Sequence, residues 1–142
     1  HYDALETFSL EQSQSIANLA QIVIGYILTE NMLKPDTSEV VTNAVNFIHS
    51  NLSTDLSIKL ITQEVNVSKS VLYKKFSDRF HCTVGEYINK KRVEKSRELL
   101  ITTALSMEEI SQRCGFSSAS YFTKIFKQYM GITPLKFKKS QL

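Results

Sequence analysis

Lysine and arginine are the reactive side chains this sequence holds in excess, and their placement is uneven. Residues 37 to 142 carry 16 of them against 9 Asp and Glu, a net charge of +7, whereas residues 1 to 36 carry 1 against 5, a net of −4. A basic stretch behind an acidic lead-in is the charge balance of a surface that grips phosphates or another polyanion. Covalent and metal chemistry find less support. The histidines are His1, His49 and His81 and the cysteines Cys82 and Cys114, with no CxxC, HExxH, Gly-rich phosphate loop or nucleophile elbow. His81 and Cys82 adjoin, but sequence neighbours rarely meet as nucleophile and base, and the pair reads as part of a turn. An enzyme is therefore not expected, nor a metal or a cofactor. Two cysteines that look unpaired and no signal peptide fit a reducing cytoplasm.

An internal repeat sets where the basic residues sit. Ile61, Gln63, Val65 and Val67 recur at an offset of 49 as Ile110, Gln112, Cys114 and Phe116. One extra residue then makes the offset 50, and Leu72, Phe76, Phe80, Thr83 and Tyr87 recur as Phe122, Phe126, Met130, Thr133 and Phe137. The apolar slots agree while most polar residues between them do not, which predicts two copies of one small fold presenting different surfaces. Cys114 takes the slot of Val65 and so reads as a buried apolar thiol.

Each copy reads as a helix-turn-helix unit, the first over residues 57–80 and the second over 106–130. In the first, Ile58, Ile61 and Val65 have helical spacing, Asn66 breaks the helix and Ser68 caps the next, which places Val71, Leu72, Phe76 and Phe80 on one face. In the second, Met107, Ile110 and Cys114 are followed by Gly115, which tolerates positive φ. Ser117 and Ser118 are candidate caps for a helix reaching Met130, with Phe122, Ile125, Phe126 and Tyr129 inward. Between the heads, Val84 to Thr102 has no proline and reads as one linker helix of about 28 Å at 1.5 Å per residue. That is near the roughly 34 Å between successive major-groove openings on one side of a duplex.

The first 36 residues form a separate segment. From about Ser9 to Leu33, apolar residues including Ile16, Leu19, Val23, Ile24, Ile27 and Leu28 spread around most of a helix, which predicts burial against a partner. The near-apolar core from Ile16 to Leu28 contains Asn18 and Gln21 and is too short for the roughly 20 residues of a membrane span. Ile16, Leu19, Val23, Tyr26 and Leu33 partly fit a 3.5-residue seam broken at Glu30, so a homodimer contact through residues 9–33 is expected as an option. Pro35, Asp36 and Thr37 read as a linker. With His1 rather than Met first, the chain is expected to be the tail of a longer protein.

The run from Cys114 through Gly115, Phe116, Ser117, Ser118, Ala119, Ser120, Tyr121 and Phe122 to Pro134, with Phe137 and Lys138, is similar to the signature of the AraC/XylS family of bacterial transcription regulators. Tyr87, Ile88, Arg92, Leu99 and Leu100 resemble that family's linker helix, and the likeness covers about residues 38 to 140. Ser96 stands where a small Ala is usual, Phe137 where Tyr is commoner and Lys138 where Arg is commoner. Residues 1–36, with the run from Phe8 to Leu19, also resemble the last helix of a PocR- or GAF-type sensor domain.

What the resemblance implies is a seven-helix DNA-binding domain over 37–142, all-α, with its third and sixth helices in the major groove and an extra helix before it. Ser70, Tyr73 and Lys74 would face bases from the first recognition helix, and Ala119, Ser120, Tyr121 and Lys124 from the second. Ser68, Lys69, Arg92, Ser117, Ser118, Thr123 and Lys127 would touch phosphates. Double-stranded DNA and RNA polymerase would be partners of a sequence-specific regulator, an activator by the family's habit. Plainer readings of the same residues stay open. Lys75, Lys90, Lys91 and Lys95 fit solvated helix faces, Tyr121 can pack beside Phe122, and Tyr129 suits the core. Arg92 can pair with Glu64 or Glu86 and brace the heads. The competing function is an all-α interaction module that binds an acidic protein, since its basic face would look the same.

Overall fold

The computed structural model describes residues 10–29 and 37–142. Its described residues form α1 (Leu10–Thr29), α2 (Thr37–Ser50), α3 (Ile58–Val65), α4 (Lys69–Phe80), α5 (Val84–Thr102), α6 (Met107–Arg113), α7 (Ala119–Met130) and α8 (Pro134–Ser140). The expected all-α fold, with two helix-turn-helix units (α3–α4 and α6–α7) joined by the long α5, is what these helices make. Two units divide the chain, His1–Asp36 and Thr37–Leu142. Within the first, α1 has Ile16, Leu19, Ile22, Val23, Ile24 and Tyr26 exposed. No described helix is long and apolar enough to cross a membrane. Phe8, Ser9, Glu30, Leu33, Pro35 and Asp36, which entered the seam, linker and sensor-helix expectations, lie outside the described residues.

Hydroxyl caps start α3 to α8. Ser57, Ser68, Thr83, Ser106, Ser118 and Thr133 hold extended backbone, and each side chain accepts the N–H of the residue three positions on. Such caps contribute on the order of 1 kcal/mol each by satisfying amides that a helix cannot pair internally. Thr83 and Ser106 form full capping boxes, their N–H groups donating at 2.8 Å to Glu86 and Glu109. Those backbone donors, followed by the cap hydroxyls, hold both carboxyls below the usual range.

The caps also extend the repeat into the backbone. Ser57 pairs with Ser106, Ser68 with Ser118 and Thr83 with Thr133, at the same offsets as the apolar slots. The left-handed residues follow suit, Asn66 (φ 52) with Gly115 (φ 84) and His81 (φ 54) with Gly131 (φ 76). Ser117 is the extra residue, inserted in the second turn where the first runs directly from Val67 to its cap.

Two hydrophobic cores divide one helix between them. Val40, Val41, Ala44 and Ile48 of α2 join Ile61, Val65, Leu72 and Phe76, and the first turns of α5 close this core with Val84, Tyr87 and Ile88. The later turns of α5 give Val93 and Leu100 to the other core, with Ile110, Cys114, Phe116, Phe122, Ile125, Phe126 and Phe137. Aromatic rings pack alike in both. Phe76 lies 5.2 Å from Tyr87, and Phe126 lies 5.5 Å from Phe137, both edge-on. Cys114 is fully buried, as its repeat slot predicts, and burial pushes its thiol up to about 11 against the opposing pull of Lys95 and Arg92. Ser96 is buried too and donates to the Val93 carbonyl at 2.7 Å, so its hydroxyl is satisfied.

Val71 departs from the expected inward face and is exposed. Leu72, Phe76 and Phe80 lie at four-residue spacing along one line of α4, and Val71 is about 100° of helix rotation away from Leu72.

Gly115 and Gly131 both need positive φ, but only the first is crowded. A Cβ on Gly131 would meet nothing within 4 Å, whereas one on Gly115 would overlap the Leu52 carbonyl oxygen and sit 3.0 Å from the Arg92 guanidinium. Gly131→Ala should therefore cost about 1–2 kcal/mol of backbone strain in urea unfolding. Gly115→Ala should cost about 1–3 kcal/mol more, as overpacking does. Equal losses would show that the second turn has room beside Leu52.

Candidate nucleic-acid interface

The inward line of each recognition helix decides what the outward face offers. On α4, burial of Leu72 and Phe76 leaves Lys69, Ser70, Tyr73 and Lys74 exposed. Lys69 Nζ lies over the Tyr73 ring, 5.7 Å from its centroid, an attraction between the cation and the ring face. On α7, burial of Phe122, Ile125 and Phe126 leaves Ser120, Tyr121, Lys124 and Lys127 exposed, with Ala119 and Thr123 half-buried. Ser68 and Ser118 are the caps of these two helices, accepting from Val71 N at 3.3 Å and Tyr121 N at 3.1 Å. A serine hydroxyl that accepts in this way still has its own proton to donate. Ser117 is exposed beside the second cap.

Charge on these helices favours an anionic partner. α4 carries Lys69, Lys74, Lys75 and Arg79 against Asp78, and α7 carries Lys124 and Lys127 with no acidic residue. The helix N-termini add unpaired amides and the positive end of the macrodipole.

Several side chains that sequence alone leaves ambiguous are committed elsewhere. Arg92, expected at a phosphate, is bonded within the protein through two of its donors. Its Nε donates to the Leu52 carbonyl at 3.0 Å and a terminal nitrogen donates to the Thr54 carbonyl at 2.9 Å, while the guanidinium lies 6.0 Å from the centroid of Phe116. Burial lowers its pKa, with Asp55 pulling the other way. The brace reading of Arg92 thus has a different partner from the carboxylates considered first, since Glu86 is held in its capping box. Tyr129 is not a core residue either. It is 37% exposed, and its hydroxyl donates to the Glu86 carbonyl at 3.0 Å, tying α7 to the first turn of α5.

Tyr121 packs in part and stays partly exposed. Its ring stands edge-on to Phe116, its hydroxyl accepts from the Asn89 amide at 3.4 Å, and 39% of its surface stays exposed. Lys91 pairs with Glu94 at 2.9 Å. Lys95 donates to Ser53 Oγ at 2.6 Å, and Lys138 to the Thr103 carbonyl at 3.2 Å, at the C-terminus of α5. Lys90 is exposed. The loop 51–55, which supplies partners to Arg92 and Lys95, was invisible to sequence reasoning, because its acceptors are mostly backbone carbonyls without a residue signature.

A helix-turn-helix domain family matches residues 61–140, more than half of the chain. A transcriptional regulator of the AraC type from Chromobacterium violaceum has the same fold, with a TM-score of 0.68, 28% identity and coverage of 74% of this chain and 94% of that one. The chain belongs to the AraC/XylS family. Its AraC/XylS domain is also similar to the C-terminal domain of AraT, a response regulator from Geobacillus stearothermophilus, with a TM-score of 0.72, 28% identity and coverage of 76% and 90%. The Msm operon regulatory protein of Streptococcus mutans is 38% identical over 103 residues, covering 72% of this chain and 37% of that protein. The chain spans about a third of the length of the first curated relatives it matches.

The AraC/XylS domain therefore separates structural cations from free ones, and the two kinds should respond differently to mutation. Arg92→Ala should lower unfolding stability by about 1–3 kcal/mol, because charged hydrogen bonds to two carbonyls are lost. Lys74→Ala and Lys124→Ala, at exposed positions, should stay within about 0.5 kcal/mol of the parent. Thermal unfolding of the three variants side by side checks this, and a neutral Arg92→Ala would contradict the brace.

Proposed function

We propose that this domain binds double-stranded DNA sequence-specifically as the reading module of a transcription regulator, with α4 and α7 each entering a major-groove segment. The observation that carries the proposal is the pair of outward faces on repeated helices. At the repeat offset of 50, Ser70 matches Ser120 and Lys74 matches Lys124, whereas Tyr73 stands opposite Thr123, Lys69 opposite Ala119 and Val71 opposite Tyr121. Both heads thus keep one lysine donor suited to guanine O6 or N7 and one small hydroxyl. Their remaining positions differ, as two heads reading two different sequences require.

Within that reading, Ser70, Tyr73, Lys74, Ala119, Ser120, Tyr121 and Lys124 face bases. Ser68, Lys69, Ser117, Ser118, Thr123 and Lys127 contact phosphates, which fix register without specifying sequence. Arg92 is read instead as a brace, with two of its five N–H donors bonded to the loop. The protein acts by binding rather than by catalysis. We place this module in an activator that contacts RNA polymerase, with residues 9–33 serving a homodimer contact and residues 1–36 ending a sensor region.

Salt titration tests the proposal. Log affinity for a duplex should fall against log salt with a slope of about −0.9 per phosphate neutralised by a lysine or arginine. Lys124→Ala should weaken a preferred site by about 5- to 100-fold while weakening random duplex much less. Equal weakening on both would reassign Lys124 to a phosphate. Flat salt dependence with no competition by random duplex would leave an acidic protein surface as the partner.

A further inference from the structure

Between Ile88 and Val93, α5 leaves one core and enters the other. Around that crossing its polar side chains reach sideways. Asn89 reaches Tyr121 on α7, Arg92 reaches the Leu52 and Thr54 carbonyls, and Lys95 reaches Ser53. Ser53 Oγ in turn donates to the carbonyl of Arg113 at 2.7 Å, at the end of α6. The loop belongs to the first head, since Leu52 and Leu56 pack against its core, while Arg113 ends the first helix of the second head. Gly115 lets the second turn close onto the Leu52 carbonyl, where no Cβ would fit. Phe116 lies under the Arg92 guanidinium and inside the second core.

We infer that Arg92 is a positioning residue: clasping loop 51–55 against the second turn, it fixes the angle between α4 and α7 and so sets the one half-site separation the protein accepts. The inference rests on the two-headed DNA reading proposed above. Each head grips α5 along one face and could rock about the helix if nothing else joined it to its neighbour. Moving one half-site by a base pair turns it by about 34–36° around the duplex axis. A head held by the clasp cannot follow that rotation without breaking bonds to Leu52, Thr54 and Ser53. A head freed from it can.

The test uses the full 142-residue chain and a duplex series in which the two selected half-sites stand at the preferred separation or 1 or 2 base pairs closer or farther. The parent should bind the preferred separation at least about tenfold more tightly than its one-base-pair neighbours, as for a mismatched site. Arg92→Met keeps the stem against Phe116 but loses both carbonyl bonds, and should bring the neighbours to within about threefold while keeping each half-site's sequence preference. Arg92→Lys, able to reach one carbonyl, should fall between. An unchanged spacing profile in Arg92→Met would overturn the inference and leave the DNA reading standing. A uniform loss at every separation would also overturn it, by making Arg92 a phosphate contact. Should Arg92→Met fail to fold, the Ser53→Ala/Lys95→Ala variant is read the same way, a broadened profile supporting the clasp and an unchanged one overturning it. A parent that selects no two-part site would overturn the DNA reading first and the inference with it.

Discussion

A single helix has to complete two hydrophobic cores, and that requirement orders the rest of the second unit. α5 buries Val84, Tyr87 and Ile88 on one side of its length and Val93, Ser96 and Leu100 further along. Neither head closes its core without it, because Tyr87 packs on Phe76 and Phe80 in one while Val93 and Leu100 belong to the other. A capping box at Thr83 fixes where the helix starts, and Lys138 donates to a carbonyl just past its end. A shift of α5 by one residue would turn every one of these side chains by about 100° and open both cores together.

The polar turn where α5 changes core follows from the same constraint. Residues there face neither core, so they are free to bond laterally, and Asn89, Arg92 and Lys95 do so. This separates two sorts of basic residue that composition lumps together. Arg92, Lys91, Lys95 and Lys138 are engaged within the protein. Lys69, Lys74, Lys124 and Lys127 stand exposed on the recognition helices. The net charge of residues 37 to 142 thus overstates the charge available to a partner, although both recognition helices keep exposed lysines, as α8 does with Lys136 and Lys139.

Much of this was legible in the sequence because it depends on side-chain type. Leu72, Phe76, Phe122 and Phe126 are buried at helical spacing, and Ser68 and Ser118 cap helices with the hydroxyls that make them recognisable. The failures share one physical cause. Arg92 and Tyr129 donate to backbone carbonyls distant in sequence, and a carbonyl at Leu52 or Glu86 looks like any other from the sequence. Val71 misled because an apolar residue next to a buried one need not share its face. The core contributions of α2 also escaped the repeat, whose matched slots begin only at Ile61.

Selection of binding sites from a random duplex library with the full chain tests most directly whether two similar heads read two different stretches of one duplex. Two-headed reading should enrich two short, unlike motifs whose centres lie about one helical turn, 10–10.5 base pairs, apart. A library that emerges without enrichment, or with a single motif bound equally well after its flanks are randomised, would contradict it.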